Sequence, residues 1–242
     1  MKTLVISDIH ANLTALEAVL EDAGKVDNVW CLGDLVGYGP DPNECIERIA
    51  GLANLRCILG NHDAAALHNI EVDAFNPEAR TAILWTQQRL TPANSEYLQS
   101  LPERVDVDHI TLVHGSPRQP VWEYLLDTRT ATVNFGYFDT PYCVVGHTHL
   151  PVIYYLPDEG LTAQLIVPEN TTQMTLAPRA ILNPGSVGQP RDRDPRASYA
   201  VLDFTDYTWE WYRVEYDIPA VQERMRKFNL PERHIARLSA GW

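Results

Sequence analysis

Five short segments hold most of the side chains able to do chemistry. They are Asp8-Ile9-His10, Gly33-Asp34, Gly60-Asn61-His62-Asp63, His114-Gly115 and Gly146-His147-Thr148-His149. Five of the eight histidines fall inside them, too concentrated for a random scatter. Imidazole and carboxylate together suit divalent transition metals such as Mn, Fe, Zn, Ni and Co. Two carboxylates, four imidazoles and an amide oxygen supply about seven ligands, more than one tetrahedral site takes. That number fits two ions sharing a bridging carboxylate. Two divalent ions and two carboxylates leave about +2 on the inner shell, a sign that attracts phosphate oxyanions and acidifies water.

Each segment follows an apolar run. Thr3-Leu4-Val5-Ile6 ends at Ser7-Asp8, Val29-Trp30-Cys31-Leu32 at Gly33-Asp34, and Cys57-Ile58-Leu59 at Gly60-Asn61. Helical stretches separate them. Asn12 can cap one with Leu13, Leu16 and Leu20 on a face and Gly24 as its stop. The next starts near Pro42, with Cys45, Ile46 and Ile49 inward. This order predicts a parallel sheet whose carboxyl ends face one crevice. Residues 64–101 read as helical, with caps at Asn76-Pro77 and Thr91-Pro92. Ile110–Val113 runs into His114, and Tyr142–Val145 into Gly146, with a helix expected over Asp127–Phe135 between them. Later strands are expected at Val152–Leu156, Leu161–Val167, Ala180–Leu182, Tyr199–Phe204 and Trp209–Val214, then helix from Pro219. No repeat or linker appears, so 1–242 reads as one domain, with a helical insertion at about 64–101 and a C-terminal helical segment at about 218–242.

The 242 residues carry 19 Lys and Arg against 32 Asp and Glu, a formal charge of −13. A chain this acidic repels polyanions, which argues against a long nucleic acid as partner. Hydrophobic residues at 45% and charged residues at 21% exclude a disordered chain. No apolar run is long enough to span a membrane and no export signal is visible. Cys31, Cys45, Cys57 and Cys143 form no C-x-x-C pair and read as reduced core residues, so the cytoplasm is the expected compartment.

As a set, in this order, the five segments resemble the calcineurin-like metallophosphoesterase superfamily, in its larger prokaryotic phosphodiesterase and phosphatase branch. The blocks D-x-H, G-D, G-N-H-D/E, a lone H and G-H-x-H span Asp8 to His149. The resemblance implies an α/β fold, a four-layer α-β-β-α sandwich of two mixed β-sheets flanked by helices, whose second sheet the strands after residue 150 would fill. It implies that Asp8, His10 and His149 hold one metal, that Asn61, His114 and His147 hold the other, and that Asp34 bridges them. A hydroxide between the metals would attack phosphorus in line. His62 would sit by the leaving oxygen, and Asp63 could orient His62. Many relatives carry G-D-x-x-D in the second block; here the segment is Gly33-Asp34-Leu35-Val36-Gly37-Tyr38-Gly39, without the second acid.

The turn Asn183-Pro184-Gly185-Ser186 resembles one found after G-H-x-H in that branch and leads to Arg191. Arg191 could clamp a substrate phosphate; the alternative is that Arg191, Arg193 and Arg196 pair with Asp192 and Asp194. His68, His109 and His234 read as surface or satisfied residues. Trp209, Trp211, Tyr212 and Tyr216 read as sheet packing. The function expected is metal-dependent hydrolysis of a small phosphate mono- or diester. A dinucleoside-polyphosphate hydrolase, a nuclease and a non-catalytic scaffold are the alternatives. A homo-oligomer is compatible with the sequence.

Overall fold

The strand and helix alternation of the first sixty residues is reproduced in the computed structural model, which describes residues 1–168 and 173–242. Strands β1 (Lys2–Ile6), β2 (Asn28–Cys31) and β3 (Leu55–Cys57) run parallel, with β2 between the other two. Helix α1 (Leu13–Ala23) starts where Asn12 Oδ1 accepts the Ala15 N–H, and Gly24 closes it at φ 60°. Helix α2 (Pro42–Ala50) turns Cys45, Ile46 and Ile49 inward. Both helices cover the outer face of this sheet, where Leu4, Ile6, Leu16, Val19, Ile46 and Ile49 pack together.

The expected helical stretch 64–101 is three helices with a non-helical passage. Helix α3 (Asn61–Ala66) opens on the third chemical segment. Residues 67–76 contain only a 3-10 turn at Val72–Ala74. Helices α4 (Pro77–Gln87) and α5 (Pro92–Gln99) start at the foreseen caps, Asn76 and Thr91.

A second sheet begins with β4 (Arg104–Val107) and β5 (Ile110–Val113), passes helix α6 (Thr128–Asn134), and continues with β6 (Tyr142–Val144) and β7 (Pro151–Tyr155). Strands β8 (Gln164–Ile166), β9 (Gln173–Thr175), β10 (Ala180–Pro184), β11 (Ala197–Asp203) and β12 (Thr208–Val214) follow. Two six-stranded mixed sheets result, in the orders β3-β2-β1-β11-β12-β9 and β4-β5-β6-β10-β7-β8. The expectation that strands after residue 150 fill the second sheet is therefore corrected. β7, β8 and β10 join it, whereas β11 pairs antiparallel with β1 and carries β12 and β9 into the first. The short strands β4 and β9 were not foreseen.

Between the sheets, Val5, Trp30, Leu32, Ile58, Leu112, Val144, Leu182, Leu202, Trp209 and Trp211 make the central core. Trp209 and Trp211 share this inner face, while Tyr212 stacks on Tyr199 on the outer one, as packing residues would. Helix α6 covers the second sheet through Ala131, with Phe135 and Phe138 packing just beyond its end. The C-terminal pair α7 (Ile218–Lys227) and α8 (Glu232–Ala240) folds back through Val221, Met225, Ile235 and Leu238 and meets Trp85 of α4. The four layers match the expected sandwich. No helix among the described residues is long and apolar enough to cross a membrane.

Candidate metal centre

The parallel strands of both sheets end at the same place. Asp8 and His10 follow β1, Asp34 follows β2, and Asn61 follows β3. His114 follows β5 directly, and His147 and His149 follow β6. Backbone bonds zip the first loops together: Asp8 N–H to Gly33 O at 3.1 Å, His10 N–H to Asp34 O at 2.9 Å, Ala11 N–H to Leu35 O at 2.8 Å. Asp8, His10, Asp34, His147 and His149 all have φ between 50 and 63°, the left-handed region that costs a non-glycine residue roughly 1 kcal/mol or more. Gly60 lets the third loop lie against Asp34, since a Cβ there would collide with that carboxylate.

All seven expected ligand side chains converge, and all are buried. The carbonyl partners fix the imidazole faces. His10 Nδ1 lies 3.1 Å from Val36 O, His149 Nδ1 2.5 Å from Gln189 O, His114 Nδ1 2.7 Å from Leu32 O, and His147 Nε2 3.1 Å from Trp122 O. A carbonyl only accepts, so these nitrogens donate and the opposite nitrogen of each ring presents a lone pair. Those lone pairs face other acceptors. His10 Nε2 and His149 Nε2 are 3.1 Å apart, and Asp8 Oδ1, without a hydrogen bond, is 3.3 Å from His149 Nε2. His114 Nε2 is 3.0 Å from Asn61 Oδ1. Asp34 Oδ2 lies between the two groups, 3.6 Å from His10 Nε2 and 3.4 Å from His114 Nε2.

Buried acceptors brought this close require a cation or an added proton between them. The donor set therefore fits metal ions. Asp8, His10 and His149 offer ligand atoms within 4.8 Å of one another, and so do Asp34, His114 and His147. His62 also lies within that range of His10 and Asp34. Burial keeps His10, His147 and His149 well below the ordinary histidine range, so they are neutral and able to ligate. Burial pushes Asp8 up to about 7. Burial opposes a charge on His114, but the Asp34 carboxylate outweighs it and lifts the ring to about 9. Protons thus settle where a cation would relieve the same crowding.

His62 donates its backbone N–H to Asp34 Oδ1 at 2.8 Å. Its ring packs on His10, Tyr38 and Phe75 at 4.9, 4.4 and 5.1 Å, its Nδ1 has no hydrogen-bond partner among the described residues, and burial lowers it to about 4. The expectation that Asp63 orients His62 is corrected. Asp63 Oδ2 accepts the Gly60 N–H and Oδ1 the Val36 N–H, both at 3.1 Å, so this carboxylate ties two ligand loops together. The place of the missing second acid is Gly37, at φ 91°, where a Cβ would collide with the His62 ring.

Arg191 is not paired with its neighbouring acids. Asp192 bonds Arg213, and Asp194 bonds Arg196. Arg191 Nη2 instead reaches Gln189 Oε1 at 3.0 Å and the Tyr38 hydroxyl at 3.3 Å.

Several site residues carried no reading in the sequence. Tyr38 stacks on His10 at 4.5 Å. Tyr124 stacks on His147 at 3.8 Å, and Trp122 supplies its carbonyl to the same ring. Asn183 Nδ2 donates to Gly146 O at 2.8 Å and Thr148 Oγ1 at 3.0 Å, and Ser186 Oγ donates to Asp8 O at 2.8 Å. The Asn-Pro-Gly-Ser turn was the one signal for this clip. His234 is also corrected: it is 1% exposed, packs on Tyr38 with ring centroids 4.5 Å apart, and neither ring nitrogen has a hydrogen-bond partner among the described residues.

Residues 1–207 match the sequence model of the calcineurin-like phosphoesterase superfamily domain. The chain is 41% identical to protein MJ0912 of Methanocaldococcus jannaschii over 98% of this chain and 97% of that protein. The crystal structure of a metallophosphoesterase from Sphaerobacter thermophilus superposes with a TM-score of 0.91 at 49% identity, covering 100% of this chain and 99% of that one. A symmetrical bis(5'-nucleosyl)-tetraphosphatase from Erwinia tasmaniensis is 33% identical over 50% of this chain, and the match spans 39% of that enzyme.

Proposed function

Because the chain belongs to the calcineurin-like phosphoesterase superfamily and hydrolyses phosphate ester bonds, we propose that its buried strand-end cluster is a dinuclear metal centre acting on a small phosphate mono- or diester. The observation that carries this reading is the pair of opposed acceptor groups, His10 with His149 and His114 with Asn61, and Asp34 Oδ2 between them. Asp8, His10 and His149 would hold one ion, Asn61, His114 and His147 the other, and Asp34 both. Bound there, divalent ions such as Mn, Fe, Zn, Ni or Co supply Lewis acidity to the phosphoryl oxygens and a more acidic water.

The chain's own residues do the rest. Backbone bonds and left-handed turns hold the ligands in place before substrate arrives, so little reorganisation is left for the reaction. His62 is neutral while burial lowers it to about 4; an approaching phosphate raises its basicity, so the ring takes up a proton from solvent and gives that proton to the leaving oxygen, returning to neutral imidazole. Arg191, free of a carboxylate partner among the described residues, is a bidentate contact for a phosphate oxygen pair. Residues 1–242 read as one domain, a reading supported by Arg224 of α7, which bonds Asp41 at the start of α2 at 2.9 Å.

The similarity to a dinucleoside tetraphosphatase favours a second reading, hydrolysis of a nucleoside polyphosphate at the same centre. A nuclease fits a charge of −13 poorly, and a scaffold fits poorly with every ligand position filled. All four cysteines are free and buried, which supports a reducing compartment such as the cytoplasm. The test is hydrolysis of p-nitrophenyl phosphate and its bis ester. Activity on at least one is expected with Mn²⁺, lost on chelation and restored by metal. Activity indifferent to chelation contradicts the metal reading, and inactivity with ions bound contradicts catalysis.

A further inference from the structure

None of the seven expected ligands is more than 2% exposed, so what covers the candidate centre decides what reaches it. That cover is aromatic. Tyr124 lies on the His147 ring at 3.8 Å, Phe75 meets the His62 ring at 5.1 Å, and the Trp122 ring meets Phe75 edge-on at 5.0 Å. Trp122 also borders a cavity of about 260 Å³, lined in addition by Ala64, Asn69, Ile70, Glu103 and Gln119. Ala64 directly follows the segment of Asn61, His62 and Asp63, and the Trp122 carbonyl bonds the His147 ring. The cavity therefore adjoins the centre on the side of His62 and His147, and Trp122, with Phe75 against its ring, borders both.

The two rings are held unequally. No residue of 67–76 is buried. Its backbone bonds stay local: His68 N–H to Ala65 O at 3.1 Å, Asn69 N–H to Ala64 O at 2.9 Å, Phe75 N–H to Val72 O at 3.1 Å. Asp73 pairs with Arg80 of α4 at 2.6 Å. Among the described residues, no backbone bond ties this segment to anything but α3 and α4, the helices it joins. A segment with so few buried contacts opens at low cost. Trp122 instead sits on the loop that Glu123 fixes through Ser116, Arg118 and Asn134. Phe75 can swing, and Trp122 stays.

The lining selects the occupant. Ile70 and Ala64 add apolar wall to the aromatic faces, and the Asn69 and Gln119 amides can bond a polar substituent. Glu103 brings the cavity its one charge, and no Lys, Arg or His lines it. Aromatic faces attract a planar ring, and a carboxylate repels an anion. The volume admits a single ring system, since an apolar cavity of about 150 Å³ already takes up benzene.

We propose that Phe75 and Trp122 are the jaws of a leaving-group pocket, and that the substrate is a phosphate ester of an uncharged aromatic alcohol whose ring passes between them into this cavity. This inference rests on the reading of the metal centre as a phosphoesterase site with His62 beside the leaving oxygen. The group that this oxygen carries must then extend past His62, where Phe75 stands. A leaving group bearing further phosphates would bring its charge to Glu103 and is disfavoured.

Calorimetric titration of the metal-loaded protein with benzylphosphonate and with cyclohexylmethylphosphonate is the test. The two share their charge, resist hydrolysis and differ in aromaticity. The wild type is expected to bind benzylphosphonate at least about fivefold more tightly. Phe75→Leu should lower that preference at least about threefold, and Phe75→Tyr should keep it. Equal affinities in the wild type overturn the substrate class, and an undiminished preference in Phe75→Leu overturns the jaw. Steady-state kinetics use benzyl phosphate and cyclohexylmethyl phosphate, whose leaving alcohols are both weakly acidic. Phe75→Leu should lower kcat/KM at least about threefold more for the benzyl ester. Equal losses overturn the pocket. A chain that prefers benzylphosphonate yet cleaves no ester refutes the catalytic reading and leaves the pocket standing. A chain that cleaves both esters without preference in binding or rate does the reverse.

Discussion

The two sheets bring unlike halves to the centre. Where β1, β2 and β3 end, the chain places Asp8, Asp34 and Asn61 with one expected ligand imidazole, His10, and with His62 beside it. Where β5 and β6 end, it places imidazoles alone, His114, His147 and His149. The halves are also held differently. The oxygen-rich loops are zipped by backbone bonds between the segments after β1 and β2. The imidazole-rich loop leans on side chains: Asn183 under Gly146 and Thr148, and the Arg118, Ser116 and Asn134 bonds to Glu123 that shape the loop bearing Trp122. Neither half carries all seven expected ligands alone, and both carboxylates face imidazoles of the two halves: Asp34 Oδ2 lies near His10 and His114, and Asp8 Oδ1 near His10 and His149. The difference teaches that the first half rests more on backbone bonds between its loops and the second more on side chains from neighbouring segments.

The most damaging way to break this pairing is at the shared oxygen. Asp34→Asn is expected to lower bound metal by at least one ion per chain and turnover by about 10³-fold or more, read by metal analysis and steady-state kinetics. His62→Ala should leave metal content unchanged and cut turnover by roughly 10²-fold, the usual weight of a proton donor. Loss of metal in that variant would make His62 a ligand, which its position within reach of His10 and Asp34 allows.

Asn183→Ala touches neither a ligand nor substrate but loosens the imidazole half. The loss of three buried side-chain bonds should cost about 1–3 kcal/mol of stability, seen as a lower Tm, and weaken metal binding. An equally placed change in the oxygen-rich half, Thr3→Val in β1, should do less. The smallest effect is pH-dependent. Burial would raise Glu123, but bonds from Arg118, Ser116 and Asn134 outweigh it and hold it at about 2, against an ordinary 4.5. A depressed carboxylate adds stability above its unfolded value and loses it as pH falls through the folded value. The Tm advantage of wild type over Glu123→Gln should therefore stand at pH 6 and disappear between pH 4.5 and 2. A constant difference across that range would show that Glu123 does not hold the loop.

The oxygen-rich half and the ligand set were legible because each ligand follows an apolar run, and strand ends in such folds meet at one crevice. Asp63 misled because neighbours in sequence suggest contact; at the start of α3 its carboxylate turns back to the Gly60 and Val36 N–H groups instead. The division of the later strands between two sheets was not legible, since the pairing of β11 with β1 joins positions nearly the whole chain apart. His234 carried no motif: a helix places it by its register against Tyr38, which no local pattern records. Arg191 was open between two readings, and only the structure shows that Arg213 and Arg196 take Asp192 and Asp194, so that Arg191 does not pair with them.

The central claim is that two half-sites share one carboxylate and hold two ions. Anomalous diffraction from manganese-loaded crystals measures this most directly. Two peaks are predicted, one among Asp8, His10 and His149, the other among Asn61, His114 and His147, with Asp34 contacting both. A single peak, or two ions that Asp34 does not join, would contradict it.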